Sequence, residues 1–192
     1  MPPRQRIQSR PELVRNTLIN LNENELELAK TIAITRNANC RKEGVIDNIQ
    51  DYKRTSIQID IDGAEAELAF FKFINKYPDS FFDTTNKSKI AGTDLGDAIL
   101  DNLSIDVKST RYKTGKLIQS GAKTLKSKID IYCLVVKEDD NTFNVKGFYP
   151  SSLLLHEDNY GKHFPGRPCF AVPQKVLMDY DDCVKKVLTK AA

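Results

Sequence analysis

The chain has 192 residues, 40% hydrophobic and 29% charged, which allows one core with a helical extension and excludes a chain that is disordered or membrane-embedded throughout. Its 29 Lys and Arg against 26 Asp and Glu give a net charge of +3, too small to argue for or against a nucleic-acid partner. The longest unbroken apolar run, Ile131 to Val136, falls far short of the roughly 18 residues of a membrane-spanning helix, so no membrane partner is expected.

The N-terminus, MPPRQRIQSRPELVR, is basic, but no apolar stretch follows it to make a secretory signal. Pro2, Pro3 and Pro11 argue against an amphipathic transit helix. Cys40, Cys133, Cys169 and Cys183 form no CxxC pair and have no histidine at zinc-ligand spacing; they read as reduced thiols of a cytoplasmic protein, with Cys133 an apolar filler in a strand. From Leu21 to about Asn39 the pattern is helical, with Asn24 as cap, Glu27 three residues later, and Leu28, Ala29, Ile32 and Ala33 as the apolar stripe. Cys40 to Thr55 loses that periodicity and reads as a polar connection. Residues 1–60 are thus an N-terminal arm and helical extension, and residues 61–192 a core domain with a C-terminal helix.

Gly63 opens the strongest helix, GAEAELAFFKFINKY, which Pro78 ends. Phe81 to Thr84 reads as a short strand. Ala98 to Leu100 and Leu103 to Ser109 read as a hairpin around Asp101-Asn102, both residue types that tolerate positive φ. Ile129 to Lys137 is a buried strand by its β-branched and aromatic content, and Thr142 to Tyr149 is another. Val176 to Thr189 is expected to be a docking helix. The order of these elements predicts an α/β fold with a mixed sheet.

The chemistry concentrates in GTDLGDAILDNLSIDVKST, residues 92–110. With Asp101-Asn102 as the turn, Asp97 falls opposite Asp106, and one face reads Asp97, Ile99, Ser104, Asp106, Lys108. The other face, Ala98, Leu100, Leu103, Ile105 and Val107, belongs to a core. Two carboxylates about 5 Å apart across a pair of strands repel one another unless a cation stands between them, and a divalent metal ion answers that need. The plainer alternative is a surface hairpin with a cross-strand salt bridge. Asp51-Tyr52-Lys53 repeats the acidic-x-lysine spacing in a polar connection without a paired aspartate. In the helix, Glu67 shares its stripe with Gly63, Phe70, Phe71 and Ile74 and needs a partner there. Glu65, on the stripe of Ala69, Lys72 and Lys76, reads as solvated.

These residues resemble the PD-(D/E)xK nuclease family, the restriction-endonuclease-like superfamily, and in particular its small phage-type nucleases. The likeness spans roughly Gly63 to Pro150: a glutamate-bearing helix (GAEAELAF), a short strand, an aspartate opening a hairpin (GTDLGD), the acidic-x-lysine strand (IDVKST), a connection and a hydrophobic strand (IDIYCLVVK). It implies the family's αβββαβ core, with Asp97 as the motif's first aspartate, Asp106 and Lys108 as the (D/E)xK pair and Glu67 as the helix acid. Gly96 stands where the family has proline, and Asp94 competes with Asp97, as Glu65 does with Glu67. The resemblance implies Mg²⁺, with Mn²⁺ as an alternative, held by Asp97 or its rival Asp94, by Asp106 and by the Val107 carbonyl, with Glu67 contributing directly or through water. It implies hydrolysis of DNA phosphodiesters in the cytoplasm, the host's for a phage-encoded chain.

Between residues 108 and 128 lie Lys108, Arg111, Lys113, Lys116, Lys123, Lys126 and Lys128 with no acidic residue, a local charge of +7. A nucleic-acid backbone is the expected partner of such a stretch, and Tyr112 offers a ring on which a base can stack. A non-catalytic nucleic-acid-binding or interaction module on the same fold is the alternative function. His156, Asn159 and His163 suggest an HNH nuclease, but no hairpin-helix pattern surrounds them. The residues specify no oligomeric state; a dimer is compatible with them.

Overall fold

The computed structural model describes residues 12–44, 54–77, 79–82, 96–120, 128–163 and 168–191. In chain order its elements are β1 (Thr17–Asn20), α1 (Glu23–Lys42), α2 (Ser56–Ile74), α3 (Asp79–Phe82), β2 (Ala98–Leu100), β3 (Leu103–Thr110), β4 (Leu117–Ser120), β5 (Ile131–Lys137), β6 (Thr142–Pro150), α4 (Ser151–Leu154), β7 (Tyr160–Gly161), β8 (Cys169–Val172) and α5 (Tyr180–Ala191).

Two reciprocal capping boxes set the long helices. Asn22 accepts from the Glu25 amide at 2.9 Å while the Glu25 carboxylate accepts from the Asn22 amide at 2.7 Å, so α1 starts at Glu23 and not behind Asn24. Thr55 and Gln58 do the same for α2, which begins seven residues before Gly63 and leaves that glycine in the helix interior. Asn75, at φ 52°, ends α2 in a left-handed cap. The expected boundary between residues 60 and 61 therefore falls inside α2. Where a short strand was expected at Phe81, one helical turn stands instead, burying Phe81 edge-on against Phe71 at 5.1 Å.

The main sheet has the order β1-β6-β5-β3-β2, with β3 and β5 parallel and the other neighbours antiparallel, so the architecture is mixed α/β. β1, absent from the sequence reading, forms an edge of this sheet by pairing with β6. A second sheet, β4-β8-β7, is wholly antiparallel. Its first strand lies in the crossover from β3 to β5, where the family resemblance implies a helix.

Every residue of β5 from Ile131 to Val136 is buried because both faces of the main sheet are covered. One face, with Ile105, Cys133, Val135 and Phe148, packs under Ala66, Ala69, Phe70 and Phe71 of α2 and under Ala29 and Ile32 of α1. The opposite face, with Tyr132, Leu134 and Val136, packs under Leu117 and Val172 of the second sheet together with Leu154 and Leu177. α5 starts later than expected: Val176 lies in a preceding 3₁₀ turn and Leu177 is buried in the second core, while Tyr180 and Cys183 close the first core. Among the described residues, no helix is long and apolar enough to cross a membrane. None of the four cysteines is paired in a disulfide.

Candidate functional site

The site grows from the β2–β3 hairpin. Asp101 and Asn102 adopt φ of 51° and 63°, the paired left-handed geometry of a two-residue turn, and fix the register Leu100↔Leu103, Ile99↔Ser104, Ala98↔Ile105. Alternation then buries Ala98 and Ile105 and sends Asp106 to the Tyr132 side, where the parallel register sets it beside that residue. Lys108 follows on the same side, its Nζ 5.7 Å from the centre of the Tyr132 ring.

Asp97 does not continue the ladder as a regular strand residue. Gly96, at φ +79°, turns the chain so tightly that a Cβ there would lie 2.6 Å from the Ile105 carbonyl oxygen, which only glycine avoids. The Asp97 amide donates to that carbonyl at 2.8 Å, and its Oδ2 accepts from the Val107 amide at 2.7 Å. The carboxylate is thereby fastened to β3 one residue past Asp106. Asp106 is itself buried, and its Oδ2 is ion-paired with the Lys108 ammonium.

Glu67 joins from α2. Its Oε2 accepts from Arg36 Nη1 of α1 at 2.9 Å, and Nη2 of the same guanidinium donates to the Phe81 carbonyl at 2.8 Å. Burial pushes the Asp97 carboxyl well above the usual range, and the negative charges of Glu67 and Asp106 push it further. Glu67 is raised too, by burial first and by Asp106, against the opposing pull of Arg36 and Lys108. For Lys108, burial alone would lower the ammonium, but Asp106 and Asp97 outweigh it and hold the group more firmly protonated. Asp97, Asp106, Glu67 and Lys108, named from different parts of the sequence, thus share one electrostatic neighbourhood.

The donors suit a hard divalent ion in kind: carboxylate oxygens of buried or largely covered side chains, under mutual repulsion that a cation would relieve. Among the described residues, no three His, Cys, Asp or Glu side chains stand in metal-holding geometry. Asp94 lies outside the described residues.

Glu65 departs from its expected solvated position. It is buried, paired with Lys137 of β5. The neighbouring Asp62 accepts from Arg111 Nε at 2.6 Å and Nη2 at 2.7 Å, pairs with Arg54, and lies 3.6 Å from Lys137 Nζ. Burial would raise Asp62, but Arg111, Arg54 and Lys137 hold it below the ordinary carboxylate value. For Glu65 burial wins, and its carboxyl is raised. Lys72 serves Glu25 and the Asn20 carbonyl, and Lys76 the Ile99 carbonyl, so neither flanks Glu65 as a surface partner.

Arg111, expected to contact nucleic acid, is committed to Asp62. Lys113, Lys116 and Lys128 are exposed, as is Tyr112; Lys123 and Lys126 lie outside the described residues. His156, Asn159 and His163 hold a turn together: Asn159 Nδ2 donates to the Leu153 carbonyl at 2.8 Å and His163 Nε2 lies 2.8 Å from the Asn159 carbonyl.

A family model described as a family of unknown function, DUF5843, matches residues 14–145, more than half of the chain. No curated protein and no solved structure matches.

Proposed function

The chain belongs to the DUF5843 family, and we propose that it is a divalent-metal-dependent nuclease acting on DNA phosphodiesters. One observation carries this reading: Asp106 is ion-paired with Lys108, Asp97 is fastened to the amide of the residue after Asp106, and the carboxyls of Asp97 and Glu67 are both raised by burial and by the charge of Asp106. Three carboxylates against Lys108 and Arg36 leave one negative charge in excess. A divalent ion would reverse that sign, and one phosphodiester charge would then balance it.

Asp97, Asp106 and the Val107 carbonyl would hold Mg²⁺ or Mn²⁺, with Glu67 as a direct or water-bridged ligand. The bound ion would supply Lewis-acid stabilisation of phosphate charge and acidify water. The chain's own residues do the rest. The Lys108 ammonium, kept protonated by Asp106, neutralises negative charge developing on the phosphate and orients the attacking water. The Asp97–Val107 hydrogen bond keeps the carboxylate aligned with β3, so the ligands need little reorganisation. Exposed Lys113, Lys116 and Lys128 attract the backbone of the substrate.

The finer fold reading, a restriction-endonuclease-like core of the small phage type, draws support from α2 with its glutamate, the β2–β3 hairpin and the parallel β3–β5 pair; β4 stands in for the crossover helix. A cytoplasmic location, the host's for a phage-borne gene, belongs to the same proposal. A second reading, a nucleic-acid-binding module without activity, draws on the exposed Lys113, Lys116 and Lys128, which would bind a phosphate backbone whether or not cleavage follows.

Supercoiled and linear DNA incubated with Mg²⁺ distinguish the two. The nuclease reading expects cleavage by the wild type and its loss in both Lys108→Ala and Asp106→Ala. DNA binding without cleavage by pure wild type would select the second reading, and cleavage surviving both substitutions would sink the assigned site.

A further inference from the structure

The basic segment that follows β3 is pinned at its start. Arg111 ties it to Asp62 of α2 through hydrogen bonds of 2.6 and 2.7 Å. The Tyr112 amide donates to Thr110 Oγ1 at 3.2 Å, and the Gly115 amide donates to the Tyr112 carbonyl at 2.7 Å, closing a turn over Lys113 and Thr114. From the other side Gln174, in the 3₁₀ turn before α5, donates to the carbonyls of Lys113 at 2.9 Å and Gly115 at 2.8 Å. The backbone of the turn is thus fastened from two directions, yet the side chains it presents are exposed: the Tyr112 ring, at 60%, with Lys113, Thr114 and Lys116 around it. Lys108 of the candidate site precedes Tyr112 by at most about 14 Å of chain.

We propose that this turn is a preformed stacking platform for an unpaired base, so that the protein's preferred nucleic acid is single-stranded. The inference rests on the nucleic-acid partner proposed above and not on cleavage. Charge alone does not set the preference: Arg111 is neutralised by Asp62, and the charge of Lys113 is felt by Glu138 and Asp139 of the β5–β6 connection. Lys113 and Lys116 supply a backbone attraction that any polyanion would satisfy. The ring makes the distinction. In a duplex the faces of the bases are covered by their neighbours and only edges show in the grooves, whereas a single strand offers its faces. A ring whose backbone is already fixed also loses little freedom when a base settles on it.

The test is fluorescence anisotropy of the full chain in EDTA, which prevents metal-dependent cleavage, with labelled probes of equal length: oligothymidylate, an abasic deoxyribose-phosphate strand and a duplex. Once salt has screened the backbone attraction, the wild type should bind oligothymidylate more tightly than either other probe. Tyr112→Ala should weaken oligothymidylate binding about 5- to 150-fold, the range for loss of one base–aromatic stack, and leave the abasic strand unaffected. Tyr112→Phe keeps the ring and should bind as the wild type does. Gln174→Ala keeps ring and lysines but releases the turn, and should weaken oligothymidylate binding in the same direction. Equal affinity for oligothymidylate and the abasic strand, tighter binding of the duplex, or binding indifferent to Tyr112→Ala overturns the platform and leaves the nucleic-acid reading standing. Wild-type affinity in Gln174→Ala overturns its being preformed. A wild type that binds none of the probes overturns the nucleic-acid reading itself, and the platform with it.

Discussion

Asp62 and Glu65 stand one helical turn apart on α2 and share Lys137, yet their ionisations are displaced in opposite directions, so neutralising them should have unequal effects. Asp62→Asn removes the acid that serves Arg111, Arg54 and Lys137. Breaking a buried pair costs about 3–5 kcal/mol, because a charge is left without its partner. Arg111 is half exposed and can rehydrate, which reduces its share to the scale of a surface pair, roughly 0–1 kcal/mol. Lys137 keeps Glu65, whereas Arg54, at 22% exposure, loses its acid and rehydrates only in part, so about 1–3 kcal/mol remains for the substitution. Glu65→Gln relieves the burial of a strained carboxylate and leaves Lys137 with Asp62, so its cost should stay within about 1 kcal/mol.

Urea unfolding at neutral pH, with midpoints compared at equal slope, measures both. The pH dependence adds a sign. The Asp62 contribution is full above its unfolded value of about 3.9 and is lost as pH falls through its lower folded value. Glu65 does the reverse: its raised carboxyl binds a proton more tightly in the folded state, so its penalty appears as pH rises from the unfolded value through the folded one. A Glu65→Gln protein as destabilised as Asp62→Asn would refute this division of roles.

Gly96→Ala should destabilise by more than about 1–2 kcal/mol and weaken Mn²⁺ binding, because the new methyl collides with the Ile105 carbonyl and displaces Asp97. Gly63→Ala should stabilise by about 0.5–1 kcal/mol, since its Cβ would enter open space in a helix interior; thermal melts check both. Asn102→Val, at φ 63°, should cost about 1–2 kcal/mol through the left-handed backbone, read in the same melts. Replacing Lys113, Lys116 and Lys128 singly should lower the salt slope of DNA binding by about 0.9 per lost phosphate contact, whereas Arg111→Ala should first lower stability.

The hairpin was legible because its information is local: Asp101-Asn102 dictates the turn and alternation dictates the faces, which places Asp106, whereas Asp97 is set by the tight turn at Gly96. The start of α2 was legible in principle, since Thr55-x-x-Gln58 is a capping signal, but the apolar density after Gly63 outweighed it. The burial of Glu65 was not, because its partner Lys137 is 72 residues away and no helical spacing points to it. β1 and β4 escaped for the same reason: each is four residues long and is held by a strand distant in sequence, β6 and β8 respectively. Arg36 was missed as a lone basic residue on a helix that spacing alone makes solvent-facing, whereas its fork is defined by Glu67 and Phe81.

Diffraction from crystals soaked in Mn²⁺, recorded for the anomalous signal of manganese, tests the central claim most directly. The account predicts one peak in contact with the carboxylates of Asp97 and Asp106, at oxygen-ligand distances of about 2.0–2.2 Å. Manganese bound elsewhere, with the Asp106–Lys108 pair and the Asp97–Val107 hydrogen bond intact and no peak between the two aspartates, would contradict it.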